Sequence, residues 1–395
     1  MINIAVIGTG SRAAAYVSPK VCTGYKDICF SALCDINRTN LEAFCKKWFS
    51  DRETPRLYTD YMDVMNDPEV QAVIITTPDT THRAIAVAAL EHGKHVMLEK
   101  PLATSLEDTI AIYRARMEHP ELAFRVGFTL RHTPFYSKVK QLLDEGAIGT
   151  IISIEAKEAL DRMHGASFFR RWHRFSANNG GFLNAKCSHD MDILTWLTGE
   201  KPLYMSAFGS RSYFVPNREF AAHCRDCSKT DTCKYAVKKE PDYWPVADLW
   251  DLCPFNADGD IVDREVVNIE YTNGVVASFT VSMISAEPHS NRTICIHGSE
   301  GSIDGDIASG IIRLRKTHPS DTQIFDVTKL AVGGHSGGDP RLFSSFVDAI
   351  LTGESLDTGD ALGGMYASVL AISSLEAMQQ HKVIDIQALL SAYQL

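Results

Sequence analysis

The sequence predicts an α/β protein whose first part is a doubly wound parallel sheet. Three observations carry this. Ile2, Ile4, Ala5, Val6 and Ile7 form a short apolar run that breaks directly into Gly8-Thr9-Gly10-Ser11-Arg12-Ala13. Phe30-Ser31-Ala32-Leu33-Cys34 is a second such run and stops at Asp35. Further runs at residues 70–76 and 96–98 alternate with helix-like stretches. Short runs without polar breaks suit strands buried on both faces, and strand–helix alternation builds a parallel sheet.

Each element has a local reason. Gly8 permits a tight turn, Gly10 lets a pyrophosphate approach the backbone, and Ala13 is small enough for helix–sheet packing. Ser11 and Arg12 open the helix, where unpaired N–H groups face phosphates. Asp35 lies 25 residues beyond Gly10, near the spacing of a ribose ligand. A carboxylate there favours NAD, because it repels the 2′-phosphate of NADP. Arg38 could accept that phosphate, which keeps NADP as the less favoured alternative. The third run ends in Thr77-Pro78 with His82, residues 84–91 read as a helix, and Gly93 stops it. Val96-Met97-Leu98 then leads into Glu99-Lys100-Pro101. Gly8, Asp35, Thr77 and Lys100 all fall at the carboxyl ends of strands, where such sheets bind ligands. Lys100 is a catalytic candidate, and Glu99 is read as orienting it.

Residues 182–197 read as a helix ended by Gly199. Lys186, His189 and Asp190 share one turn of it. A histidine with a pKa near 6.5 can accept an alcohol proton at neutral pH, and a lysine can stabilise the developing alkoxide. A solvated, charged helix face is the competing reading. Residues 266–271 and 275–281 alternate around Asn273-Gly274, as the two strands of a hairpin do. His335-Ser336-Gly337-Gly338-Asp339 reads either as a loop closing over substrate or as a helix-capping turn.

Several of these segments together resemble the Gfo/Idh/MocA oxidoreductase family. The matching pieces are Gly8-Thr9-Gly10, Thr77-Pro78 with His82, Glu99-Lys100-Pro101, and Val126-Gly127-Phe128 with Arg131 and Pro134. Gly146-Ala147-Ile148-Gly149, Gly180-Gly181 with His189 and Asp192, and Gly298-Ser299-Glu300-Gly301 follow in the family's order. The resemblance implies an N-terminal Rossmann domain, a C-terminal α/β domain on a large open, mostly antiparallel sheet, a nicotinamide cofactor, and a sugar, cyclitol or related polyol substrate. It also implies a homodimer or homotetramer formed through the open sheet. There is a departure: many members carry an aspartate four residues before the histidine, and here that position is Ala185, beside Lys186 and Cys187. Lys186 is therefore read as a second catalytic or substrate-binding group. Arg131, His164, Trp172 and Asn184 complete the expected substrate contacts.

At 395 residues, the chain is expected to split into two domains, a dinucleotide-binding domain over residues 1–125 and a substrate domain over 126–395. A net charge of −10 argues against a general nucleic-acid binder. No apolar stretch is expected to reach the roughly 20 residues of a membrane span, and no signal peptide is read; a cytoplasmic location follows. Ten cysteines are present, and four are grouped as Cys224-x2-Cys227-x5-Cys233 with Cys253 further on, in an insertion at about 216–258. Four thiolates suit a structural zinc site that folds an insertion lacking its own core. An iron–sulfur cluster and reduced thiols or disulfides are the rivals. Three functions follow: NAD-dependent oxidation of a secondary alcohol, redox-assisted cleavage of a glycoside through transient oxidation, or a non-catalytic sugar or dinucleotide sensor, since this fold does not guarantee catalysis.

Overall fold

The computed structural model describes residues 1–22, 25, 27–239, 249–286, 290–353 and 358–395. Residues 240–248 of the expected insertion lie outside the described residues.

Six strands form a parallel sheet: β1 (Ile2–Ile7), β2 (Ile28–Cys34), β3 (Arg56–Tyr58), β4 (Ala72–Ile75), β5 (His95–Leu98) and β6 (Phe124–Val126). Their order is β3-β2-β1-β4-β5-β6. This is the dinucleotide-binding order, in which the chain reverses direction across the sheet beside β1. All four residues of β4 are buried, as the unbroken apolar run requires.

Nine strands form the second sheet: β7 (Ile151–Asp161), β8 (Pro202–Ser210), β9 (Arg264–Tyr271), β10 (Val276–Ser285), β11 (Asn291–Gly298), β12 (Gly301–Asp306), β13 (Ile311–Lys316), β14 (Asp321–Asp326) and β15 (Ile384–Asp385). Only β7 and β10 pair in parallel; the other described pairs are antiparallel. In β9 buried and exposed residues alternate strictly, so one face carries a core and the other stays open. The hairpin forms at Asn273-Gly274, with the Tyr271 N–H donating to the Val275 carbonyl.

The chain forms two compact units. One unit comprises residues 1–140 and 327–369; the other comprises 141–326 and 370–395. The reason lies in packing. Leu342, Phe343, Phe346 and Val347 of the helix Gly334–Thr352 are fully buried in the same core as Ile4, Val6, Phe30 and Met97. Phe343 stacks on Phe30 with ring centres 6.2 Å apart.

One expectation is corrected. The helix Thr358–Gln380 contains an apolar window, Asp360–Gln380, that is long enough to cross a membrane. Yet 72% of that window is buried inside the protein, as in a core helix.

Candidate active site

The glycine turn is built as its residues predict. Gly8 has φ +90°, and a Cβ there would meet the Thr76 backbone at 2.9 Å, so only glycine lets β1 turn this close to β4. Asp35 fixes the turn from the end of β2. Its Oδ2 accepts the Thr9 N–H and hydroxyl, both at 2.8 Å, and its Oδ1 accepts the Asn37 N–H at 2.8 Å. Asp35 is only partly buried. Arg38 is engaged on its own helix by Glu42 at 2.6 Å. A close glycine turn with a partly buried carboxylate beside it is the arrangement that fits a dinucleotide.

Lys100 is registered to this turn through its neighbour. The buried Glu99 carboxylate accepts from Arg12 and from the Tyr16 hydroxyl, both on the helix Ser11–Val17. Arg12 also pairs with Asp339 at 2.8 Å and approaches His335 Nδ1 at 3.3 Å. Asp339 is 2% exposed. Burial alone would raise its pKa, but hydrogen bonds from His335 and Arg12 and their charges hold it down at about 2. Residues 335–339 are thus anchored to the glycine-turn helix. Within this segment His335, Ser336 and Gly337 are all left-handed.

His82 was expected to touch the cofactor directly. It is fully buried, with Nδ1 2.9 Å from the Pro101 carbonyl and Nε2 3.1 Å from that of Thr77. It therefore ties the Thr77-Pro78 loop to the segment carrying Lys100. Thr77 itself accepts the Thr81 hydroxyl at 2.7 Å. Asp79, not singled out from the sequence, sits in this loop; desolvation pushes it up to about 6 against the opposing charges of His82 and Lys100. Arg131, expected at the substrate, lies in the first unit. It pairs with Asp360 at 3.2 Å, and Arg125 takes the other oxygen at 3.3 Å. Two arginines converge on one buried carboxylate, which gives Arg131 a structural task in its own unit.

In the second unit the helix Phe182–Thr198 starts at Gly181, whose φ is +100° and where a Cβ would meet Leu375 at 2.9 Å. This seats the helix so that His189 is 6% exposed and Asp192 fully buried. Asn184, expected at the substrate, is fully buried and donates to the Asn179 carbonyl at 2.7 Å, which braces the diglycine turn. Asp190 forms a two-pronged pair with Arg292 at 2.7 and 3.1 Å. Lys186 stands 3.4 Å from Glu158, and Arg292 stands 2.6 Å from the same carboxyl group. Glu158 on β7 and Arg292 on β11 are direct cross-strand partners. Sequence reasoning missed both. The available signal was a charged residue just before the apolar Ala159-Leu160 of a strand.

His164 stacks on Phe168 and lies 3.2 Å from the Ser290 hydroxyl. Desolvation, and next the Lys186 charge, push its imidazole down, so it is neutral near pH 7. Trp172 stacks on His173 with centres 3.8 Å apart.

Aromatic side chains pack the cysteine-bearing insertion against the residues that flank it. Phe214, Phe220, Tyr235 and Phe255 form a chain of ring contacts with centres 5.0–5.5 Å apart. Aromatic side chains bury enough area to hold such a segment. Among the described residues, no three His, Cys, Asp or Glu side chains stand in metal-ligating geometry.

Comparison with known proteins gives this geometry its context. Residues 2–128 match the oxidoreductase family NAD-binding Rossmann fold, and residues 140–386 match the oxidoreductase family C-terminal alpha/beta domain. The oxidoreductase YteT of Bacillus subtilis is 29% identical over 96% of this chain and 95% of its own. Levoglucosan dehydrogenase of Pseudarthrobacter phenanthrenivorans is 30% identical over 62% of this chain and 57% of its own. A solved levoglucosan dehydrogenase in complex with NADH shares the fold, with a TM-score of 0.75 at 20% identity over 98% of this chain and 99% of that one. With both halves of the sequence matched, the chain belongs to the Gfo/Idh/MocA family of oxidoreductases, and its first domain is the family's NAD-binding Rossmann fold.

Proposed function

We propose that the protein oxidises a secondary alcohol of a sugar, cyclitol or related polyol with NAD. The observation that carries this reading is the pinning of Glu99 by Arg12 and Tyr16, which fixes the adjacent Lys100 relative to the nucleotide turn. Bound NAD supplies the hydride acceptor. In this reading Lys100 donates a hydrogen bond to the substrate hydroxyl and stabilises alkoxide character as it develops. His189 takes the hydroxyl proton, and Lys186, held by Glu158, adds a second positive charge. His164 and Trp172 contact the ring. Levoglucosan and inositol dehydrogenases among the relatives support a carbohydrate or cyclitol substrate. Asp35 and the Arg38–Glu42 pair favour NAD over NADP, because neither leaves a cation dedicated to a 2′-phosphate. The reading includes a cytoplasmic homo-oligomer paired over the open sheet face, where Tyr204, Phe208, Val266 and Val276 are exposed.

Redox-assisted glycoside cleavage is the second reading. It is favoured by Lys186, an extra acid or base close to His189 on the same helix. The test is incubation with NAD and a panel of sugars, cyclitols and glycosides in deuterated buffer, reading NADH absorbance and product mass together. NADH with an oxidised product is expected, and Lys100→Ala and His189→Ala each lower kcat by roughly 10²–10⁴-fold. Cleavage or deuterium uptake without NADH moves the assignment to the second reading. Full turnover in both variants sinks the roles given to Lys100 and His189.

A further inference from the structure

The insertion brings its four grouped cysteines to one place. Cys224, Cys227, Cys233 and Cys253 all line a single cavity of about 10 Å³, closed by Phe220, Tyr235 and Phe255. That volume holds about one water-sized sphere. An isolated β-bridge between His223 and Leu252 brings the neighbouring Cys224 and Cys253 side by side. The Cys227 N–H donates to the Cys224 carbonyl, and the Thr230 hydroxyl donates to the Cys227 carbonyl at 2.8 Å, which closes a tight turn around the first pair.

Backbone hydrogen bonds and one buried arginine frame the cavity wall. The Asn256 and Ala257 N–H groups donate to the Cys253 carbonyl at 3.2 and 2.8 Å, which closes a turn at this cysteine. Arg170 is 1% exposed and donates to the carbonyls of Leu252 and Tyr235 at 2.8 and 2.7 Å, which holds the guanidinium beside the cavity.

We propose that Cys224, Cys227, Cys233 and Cys253 bind one structural Zn²⁺ as four thiolates. In this structure the four side chains surround the cavity without converging to ligating geometry, so loading requires their sulfurs to turn inward. Binding exchanges four S–H protons for one Zn²⁺, with no change of oxidation state, and leaves a closed tetrahedral site of net charge −2. Arg170 offsets half of that charge. A four-iron cluster does not fit the volume. The closed ligand set gives the metal a structural task, so the site is independent of the oxidoreductase reading.

The experiment is metal analysis of the full-length protein purified under reducing conditions from zinc-supplemented cells, together with cobalt substitution. One zinc per chain is expected. The cobalt form should show the visible bands of tetrahedral cobalt and a sulfur-to-cobalt charge-transfer band. Cys227→Ser, at a half-exposed ligand, should lose most of the zinc, whereas Cys29→Ser should keep it. Cobalt bands in the unmodified protein preserve the test if Cys227→Ser fails to fold. Zinc-free protein with all ten thiols titratable overturns the proposal. So does stoichiometric iron, a disulfide among the four cysteines, or a cobalt spectrum without sulfur charge transfer.

Discussion

Arg12 in the first unit and Arg292 in the second each hold two carboxylates in a buried network. Arg12 pairs with Glu99 and Asp339, Arg292 with Glu158 and Asp190. The difference is in what completes them. Tyr16 and His335 finish the first network, which remains a brace behind Lys100. Lys186 joins the second and brings it to net neutrality, one helical turn from His189. The same arginine-and-two-acids core thus serves as scaffold in one unit and as the base of a proposed reactive face in the other.

The comparison breaks most visibly if the central cation is removed. Arg292→Ala leaves Glu158 and Asp190 buried with only Lys186 between them, and should cost roughly 3–5 kcal/mol in urea unfolding. An unchanged midpoint would mean that the network adds nothing to stability.

A carboxylate without an arginine sharpens the contrast. Burial pushes the fully buried Glu265 up to about 7, with only a hydrogen bond from Ser374 opposing it. Its pKa is raised on folding, so its favourable contribution is complete below about pH 4.5 and is lost as pH rises through 7. Glu265→Gln should therefore be more stable than the parent at pH 8, by up to about 3 kcal/mol, and the gain should fade by pH 4. A constant difference across that range would refute the assignment.

Asp339 is the opposite case. Its pKa is depressed, so its contribution is present above about pH 4 and disappears as pH falls toward 2. Asp339→Asn should cost roughly 2 kcal/mol at pH 7, and the two stability curves should converge in acid. A gap that persisted at pH 2 would assign the cost to packing and not to charge.

Lys186→Met is the smallest change in stability. It makes the second network a copy of the first, with two acids and one arginine. The 3.4 Å contact of Lys186 is longer than those of Arg292, and methionine keeps the packing of the stem, so unfolding should shift by less than in Arg292→Ala. If Lys186 takes part in turnover, kcat should drop more than about tenfold. Unchanged kcat with unchanged stability would leave Lys186 outside both roles.

The first unit was largely legible because its information is local. The apolar runs, Gly8, Asp35 and Glu99-Lys100 each lie within a few residues of the element they specify. Cooperation between Arg12 and Asp339, far apart in sequence, was not legible, since no periodicity links them. The second site was read only along its helix. Lys186 and His189 share a face that spacing reveals, whereas Glu158 and Arg292 meet through strand register. Asn184 and Arg131 show the limit of polar type as a guide: both are the expected residues, but their groups are used by Asn179 and Asp360 inside their own units.

The first unit is closed by residues 327–369, which carry Leu342, Phe343, Phe346 and Val347 into its core. During vectorial synthesis, residues 1–140 emerge long before that helix exists. At roughly 5–20 residues per second, the intervening residues 141–326 occupy the ribosome for tens of seconds. Throughout that interval the nascent nucleotide-binding sheet presents an uncovered apolar face, a natural substrate for a holdase chaperone. Expressed alone, residues 1–140 should aggregate, and supplying residues 327–369 on a short tether should restore solubility.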